Sequence, residues 1–178
     1  MGSKTLNFVW EGLSTLKIPA KVLDHCQDSS IDIYGQGIED LPEPLNTASL
    51  WIFCRSAWPH NDPDFEGSVF ITLAVQADHM YSQIIPDGQR IELGVFRGTL
   101  FVTDPLSLHW LAPSNDDTNP GFIGLQWEVP HHKLDEAWTD LTARLAALGE
   151  VRHLDAPRLD NILAPSEDYE GDPPSPVF

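Results

Sequence analysis

Two histidines and one aspartate have the residue types and the spacing of a metal site. His60 and Asp62 are two positions apart. In an extended segment such positions point to the same side, so an imidazole and a carboxylate can converge there on one ion. His109 lies much further along, inside a predicted strand, and a β-barrel would bring it back beside the other two. We predict that these three residues ligate one metal ion, and that Trp58 and Trp110, their neighbours in the chain, wall a substrate pocket beside it.

This ligand set also indicates which metal chemistry to expect. Two imidazoles and one carboxylate leave coordination positions open, and non-haem Fe(II) oxygenases use this arrangement, the facial triad. Two other interpretations of the same residues stay open. Asn61–Asp64 is a typical turn sequence in which Asp62 bonds to its own backbone, and Asp64 is a competing carboxylate. His109 would then be an ordinary core or surface histidine.

The elements that must position these residues are short β-strands. Seven runs rich in Val, Ile, Phe, Trp and Thr are separated by turn sequences. This pattern indicates a β-sandwich or barrel and not a fold of alternating strands and helices. The predicted strands are Leu50–Cys54, Ser68–Gln76, His79–Ile85, Ile91–Phe96, Thr99–Thr103, Ser107–Leu111 and Gly121–Val129.

One helix and one tail complete the predicted organisation. Apolar residues recur at helical spacing from Leu134 to Leu148, and Gly149 follows as a C-terminal stop. We therefore predict a helix over residues 133–148 that covers an outer face of a sheet. Residues 164–178 are acidic, rich in proline and without a basic residue, so we expect a flexible tail there. The predicted domain is a single β-barrel over residues 1–163 with its core at 50–129.

The segment from Gly98 to His109 resembles the region before the distal histidine in 2-oxoglutarate/Fe(II)-dependent dioxygenases. In that family a glycine turn enters a strand, and a proline-containing loop then delivers the histidine. The apolar run Ser68–Gln76 also stands where that family has a strand after its His-x-Asp motif, and the likeness covers residues 50–129. The resemblance implies a mainly β fold, a double-stranded β-helix (a jelly-roll or cupin-like barrel) with the C-terminal helix outside it. It also implies Fe(II) and 2-oxoglutarate as cofactors, and hydroxylation or demethylation of a small molecule or a protein side chain.

One position departs from the pattern of this family. Its members usually hold the distal carboxylate of 2-oxoglutarate with an Arg or Lys on the strand after the distal histidine. That strand here, Gly121–Val129, contains no basic residue, and Gln126 stands about where the arginine is expected. Because a buried carboxylate without a partner is very costly, we expect Arg97, or next Arg55, to reach into the cavity. If no basic side chain enters it, the metal prediction stays and 2-oxoglutarate is withdrawn.

Charge and composition limit the other functions. Ten Lys and Arg face 27 Asp and Glu, and the net charge of −17 repels phosphate backbones, so direct nucleic-acid binding is not expected. The same charge supports an alternative: a non-enzymatic acidic interaction protein, a nucleic-acid mimic or phage-type inhibitor, that occupies a basic partner surface. A cupin-like domain with the same barrel and no metal is a third interpretation. No apolar run reaches the ~20 residues of a membrane span, no secretory leader opens the chain, and two cysteines indicate reduced thiols, so we expect a cytoplasmic protein.

Overall fold

The structure, a computed structural model, consists mainly of β-strands. It describes residues 14–17, 38–84, 88–115, 117–118, 121–147, 150–153 and 158–160. The strands are β1 (Ser14–Lys17), β2 (Leu50–Cys54), β3 (Ala57–His60), β4 (Ser68–Gln76), β5 (Asp78–Ile84), β6 (Arg90–Phe96), β7 (Thr99–Thr103), β8 (His109–Pro113), β9 (Phe122–Pro130), β10 (Glu150–His153) and β11 (Arg158–Asp160). Within the described residues the single α-helix is α1 (Leu134–Ala146), and 3-10 turns cover Ile38–Asp40, Leu45–Thr47, Pro63–Phe65 and His131–Lys133.

The strands form two antiparallel sheets. Sheet A has the order β10-β1-β7-β4-β9-β2, and sheet B has the order β11-β6-β5-β8-β3. The eight strands from β2 to β9 pair like one long hairpin folded over: β5 with β6, β4 with β7, β3 with β8, and β2 with β9. The chain therefore passes repeatedly between the two sheets, and strands distant in sequence lie side by side.

Sheet A is covered on both faces. β4 is buried at every position except its two end residues, which explains why its sequence is an almost continuous apolar run. The helix α1 buries Leu134, Trp138, Leu141 and Leu145 in the same apolar core as β4, β7 and β9. On this outer face the indole Nε1 of Trp127 donates a hydrogen bond of 3.0 Å to Thr47 Oγ1. The apolar core of the protein therefore lies largely between sheet A and the segments that cover it.

Sheet B is buried on one face along β6. Ile91, Leu93 and Val95 are buried there, whereas the residues between them are partly exposed. This alternation is typical of an antiparallel strand with one face toward a core and one toward solvent. The inner face of sheet B and the inner face of sheet A enclose the cavity described below.

The prediction of a mainly β fold with an outer helix is confirmed. β2, β4 and β7 have the predicted bounds, and Gly98 adopts a positive φ of 92° in the turn before β7. The strand β3 was not predicted, and β8 begins at His109, later than expected. The helix begins at Leu134 and ends at Ala146, and the predicted end at residue 148 lies outside the described residues.

The structure leaves two further predictions where they stood. The predicted tail, residues 164–178, lies outside the described residues, so neither its flexibility nor the domain bound at 163 is tested. In the described part of the chain, no helix is both long enough and apolar enough to cross a bilayer.

Candidate metal centre

His60, Asp62 and His109 converge at one point. Asp62 Oδ2 lies 3.7 Å from His60 Nε2 and 3.6 Å from His109 Nε2. One ligand atom from each residue falls within 4.8 Å of the other two. Two ligand atoms bound to one ion at about 2.1 Å and at right angles lie about 3 Å apart, so small side-chain rotations suffice to seat an ion. The three residues predicted from the sequence can therefore hold a metal together.

The two histidines are placed by neighbouring strands of sheet B. His60 ends β3, His109 begins β8, and the two are register partners. Between Ala57 and His60 the ladder carries an irregularity, because three steps along β3 match two along β8, from Leu111 to His109. Such a bulge changes the face to which the following side chain points, and bulges are frequent beside functional sites. It lets both Ala57 and His60 face the cavity, although they are an odd number of residues apart.

Asp62 sits in the loop after β3, at the start of the 3-10 turn Pro63–Phe65. Its carboxylate makes no capping hydrogen bond to that turn. Its backbone N–H donates to Pro105 O at 2.7 Å, which joins this loop to the loop before β8. The carboxylate is thus turned to the histidines and does not bond to its own backbone as in a simple Asx turn. Asp64 is exposed and is not a member of the cluster.

Backbone carbonyls orient both imidazole rings. His109 Nδ1 bonds to Ser107 O at 2.8 Å, and His60 Nδ1 bonds to Trp58 O. A ring that donates its Nδ1–H in this way presents the lone pair of Nε2, the tautomer that a metal ligand requires. Burial, together with the nearby His60, lowers the pKa of His109, which favours the neutral ring. The orientation of both rings suits metal ligation through Nε2.

The loop before β8 has its own support. Asp104 Oδ1 accepts a hydrogen bond from Leu106 N at 3.0 Å, and Asp104 Oδ2 accepts one from Ser107 Oγ at 3.2 Å. Ser107 in turn offers the carbonyl that orients His109. Asp104 therefore shapes the loop that delivers the distal histidine.

The cluster lies beside a cavity of about 260 Å³. The side chain of His109 is 10% exposed, whereas those of His60 and Asp62 are 40% and 36% exposed, so the cluster borders solvent on one side. The inner faces of both sheets contribute the other walls, which are mainly aromatic and aliphatic. The lining residues besides the cluster are Leu50, Ile52, Cys54, Ala57, Phe65, Phe70, Thr72, Tyr81, Phe101, Thr103, Trp110, Leu111, Phe122 and Gln126.

A few neutral polar groups interrupt this apolar lining. Gln126 Nε2 donates a 3.0 Å hydrogen bond to Thr72 Oγ1 between β9 and β4. On β5 the hydroxyl of Tyr81 donates to Gln83 Oε1 at 2.6 Å, and burial raises the pKa of Tyr81 so that it stays a neutral phenol. Burial also raises the pKa of the Cys54 thiol to about 11, which makes it a poor nucleophile and a poor thiolate ligand near neutral pH. The cavity is thus polar in places but uncharged away from the cluster.

The other predicted site residues divide into two groups. Gln126 and Trp110 line the cavity, and their roles in binding a cofactor and a substrate stay predictions. Arg97 and Arg55 are exposed and are not part of its lining, and Trp58 contributes its carbonyl to His60 but does not line the cavity. The strand registers explain why Arg97 and Arg55 do not line the cavity. Each of them follows a strand end that is remote from the His60–His109 pair.

The lining decides against 2-oxoglutarate as a fitted cosubstrate. Among the residues whose side chains the structure describes, no Lys or Arg lines the cavity, and Arg90, at the start of β6, pairs with Glu92 at 2.9 Å. A metal ion held by the cluster could meet one carboxylate of a dicarboxylate, but the other carboxylate would meet only neutral groups of the described lining. Burying a charge without a partner is very costly, so the residues present fit a divalent metal but do not fit this cosubstrate.

Sequence reasoning missed several lining residues, and a signal for them exists. Thr72 interrupts the buried apolar run of β4, Thr103 is the buried last residue of β7, and Tyr81 lies on the inward face of β5. A hydroxyl that interrupts a buried apolar strand costs stability unless it is bonded or serves a site. A hydroxyl residue in a buried apolar strand is thus the sequence feature that could have identified the face of the strand toward the cavity.

No protein-family model, curated protein or solved structure matches the chain.

Proposed function

We propose that the protein is a mononuclear non-haem iron enzyme of the oxygenase type, with Fe(II) held by His60, Asp62 and His109. The observation that carries this proposal is the convergence of these three ligand atoms within 4.8 Å at the edge of a cavity of about 260 Å³. Two imidazoles and one carboxylate satisfy three positions of an octahedral ion and leave the others for substrate and O₂. The reaction class is dioxygenation of an organic substrate, in which both atoms of O₂ enter the substrate and no further reductant is needed. Hydroxylation or demethylation would need two electrons from a co-substrate, and the described lining does not provide a place for 2-oxoglutarate.

The strand order supports a double-stranded β-helix as the scaffold of this enzyme. Eight strands that pair 2–9, 3–8, 4–7 and 5–6 across two sheets are what a long hairpin wound into a jelly roll produces. In such a barrel the inner faces enclose a pocket, and the ends of the strands carry the site. This supports the resemblance of residues 50–129 to the dioxygenase barrel.

The residues of the chain have separable roles in the proposed reaction. His60 and His109 each present Nε2, because carbonyls hold their Nδ1 atoms, and Asp62 supplies the negative charge that offsets part of the charge of the ion. Bound Fe(II) would supply the activation of O₂. Phe70, Phe101 and the other aromatic walls would exclude water from the substrate and hold it beside the metal. The exposed edges of His60 and Asp62 leave an entrance.

The proposal keeps the iron and not 2-oxoglutarate. The enzyme predicted from the sequence used both, but the described lining offers no cation to a dicarboxylate. We therefore do not assign 2-oxoglutarate a place in the site.

Metal content is the test of this proposal. Purified protein loaded anaerobically with Fe(II), or with Mn(II) or Co(II) as stable substitutes, should bind one equivalent by elemental analysis. His60→Ala and Asp62→Asn should abolish tight binding while circular dichroism shows the β-fold unchanged. The matched controls are His132→Ala and Asp64→Asn, which alter exposed residues outside the cluster and should bind metal as the wild type does. Equal binding by Asp62→Asn and Asp64→Asn would contradict the proposal.

A further inference from the structure

The cavity beside the metal cluster has the charge pattern of a site for an uncharged molecule. Of the described residues that line it, Asp62 alone is an acid and none is Lys or Arg. The chain as a whole carries a net charge of −17, which lowers the local concentration of anions further. Away from a bound metal ion, an anionic group would therefore be desolvated in this cavity with no compensating cation in the described lining.

Three arginines with described side chains, Arg55, Arg90 and Arg97, do not change this pattern. Arg55 follows β2 and Arg97 follows β6, and both lie near His79 on β5. His79 is four residues from Gln83, the register partner of His109. Both arginines are therefore at the end of the strands away from the metal cluster. Arg90 pairs with Glu92, and its guanidinium lies 6.0 Å from the ring centre of Trp110. Each of these side chains stays outside the cavity lining.

Gln126 is the residue that most directly sets the preference. It lies on β9 opposite Thr72, and its amide nitrogen bonds to the Thr72 hydroxyl at 3.0 Å within the buried part of the cavity. One of its two N–H groups is used in this bond, so the carbonyl and the second N–H are available to a ligand. A neutral amide pairs well with a hydroxyl or an amide and compensates a carboxylate poorly.

We propose that the cavity takes an uncharged ligand, an apolar ring or chain carrying a hydroxyl or amide group, with Gln126 as the specificity-determining residue. This inference rests on the proposed metal centre, because the ligand lies beside it. An empty apolar cavity of about 150 Å³ accommodates benzene, so one of about 260 Å³ accommodates roughly ten non-hydrogen atoms.

A pair of isosteric probes tests the preference for neutral ligands. Benzamide and benzoate share size and shape and differ in charge, and 2-oxoglutarate is the third probe. Binding to metal-free protein, in which no ion can ligate a carboxylate, is followed by ligand-observed NMR titration. We expect saturable binding of benzamide, with benzoate and 2-oxoglutarate at least tenfold weaker. No saturable binding of benzamide, or binding of either anion as tight as that of benzamide, would overturn the inference.

Variants locate the preference in Gln126. Gln126→Glu, which keeps the shape and adds a negative charge, should weaken benzoate further, whereas Gln126→Arg should invert the order of benzamide and benzoate. Gln76→Arg adds the same positive charge outside the cavity lining and should keep the wild-type order. If Gln126→Arg does not fold, Gln126→Leu serves instead and should weaken benzamide at least fivefold; an unchanged benzamide affinity would overturn the role of Gln126. Metal binding is measured separately, so loss of the metal would count against the proposed function and a reversed ligand order only against this inference.

Discussion

His60 and His109 stand opposite each other in the β3–β8 ladder, with ring centroids 4.4 Å apart and ring planes tilted by 53°. Both Nε2 atoms lie within 3.7 Å of the same oxygen of Asp62. Two neutral imidazoles so placed direct lone pairs toward a carboxylate, which is unfavourable until a cation or a proton enters between them. The two histidines are therefore already placed for metal binding, and the stability of the fold should increase when a metal ion binds.

Metal should stabilise the fold, and Asp62 should be required for this effect. A ligand that binds only the folded state stabilises it by about 2.7 kcal/mol at a concentration of a hundred times Kd. We expect Tm to rise with added Mn(II) or Co(II) and to fall back on addition of EDTA. Asp62→Asn should lose most of this rise, whereas the exposed Asp64→Asn should keep it. A rise of the same size in both variants would mean that the metal binds elsewhere.

Asp104 should act as a positioning residue for His109. It bonds to Leu106 N and Ser107 Oγ in the loop whose Ser107 carbonyl holds the imidazole. Removing a group that contacts and orients a metal-ligating histidine costs about 10- to 100-fold in metal affinity. Asp104 acts on the ring only through Ser107, so Asp104→Ala should raise the metal Kd by less, up to about tenfold. Asp117→Ala, a carboxylate in an exposed turn, is the control. The Kd is measured by isothermal titration, and a Kd equal to that of the wild type would show that the loop holds its shape without Asp104.

Gln83 should be important for the stability of the barrel. Its side chain is fully buried, and its Oε1 accepts hydrogen bonds from Tyr81 Oη at 2.6 Å and from Asp104 N at 3.4 Å. Gln83→Leu removes this acceptor, and stranding a buried donor costs about 1–3 kcal/mol. In urea unfolding the midpoint should fall at constant slope. Adding Tyr81→Phe should make the double variant less destabilised than the sum of the single variants, since the stranded hydroxyl is gone; simple additivity would argue against this hydrogen bond.

The parts of the fold that sequence patterns predicted well are those with one dominant cause. β4 is buried on both faces, so its run of apolar residues could not be mistaken for a turn, and its bounds Ser68–Gln76 agree with the prediction. β3 was missed because Ala57-Trp58-Pro59-His60 has no alternation and contains a proline. A proline is tolerated only where its missing N–H is not needed, and β3 is an edge strand of sheet B.

The three candidate ligands were predictable as residue types, but their faces were not. The face of His60 depends on the bulge between Ala57 and His60, and a one-residue irregularity reverses every inside-outside assignment that follows it. The start of β8 at His109 depends on the Asp104 turn, which uses Ser107 as a turn residue and not as a strand residue. The positions of Arg97 and Arg55 likewise followed from strand registers, which the sequence alone does not determine.

His79 should make the stability of the fold sensitive to acid. Its ring is fully buried in β5, where Nδ1 accepts a hydrogen bond from Asp78 N at 3.1 Å and Nε2 donates one to Arg55 O at 2.8 Å. The neutral ring satisfies both partners, whereas a second proton on Nδ1 would face the N–H of Asp78. Burial lowers the pKa of His79, and the carbonyl of Arg55 and the charge of Asp78 oppose this only in part.

The sign of the effect follows from linkage. Above the unfolded pKa of about 6.5 the ring is neutral in both states and the stability it contributes is fully present. As the pH falls below that value, His79 is protonated in the unfolded chain but stays neutral in the folded chain. Stability is then lost until the pH has passed through the lower folded pKa. The loss amounts to about 1.4 kcal/mol for each unit by which folding lowers the pKa.

Urea unfolding of metal-free protein at several values between pH 7.5 and 5 measures this loss. The wild type should lose stability below pH 6.5, and His79→Gln should show a shallower dependence, whatever its stability at pH 7.5. His109, whose pKa burial also lowers, contributes in the same direction to both proteins, so the difference between their slopes reports His79 alone. His132→Gln, which alters an exposed ring, should keep the slope of the wild type. Identical slopes for His79→Gln and wild type would mean that the buried ring accepts its proton as readily in the folded protein as in the unfolded chain.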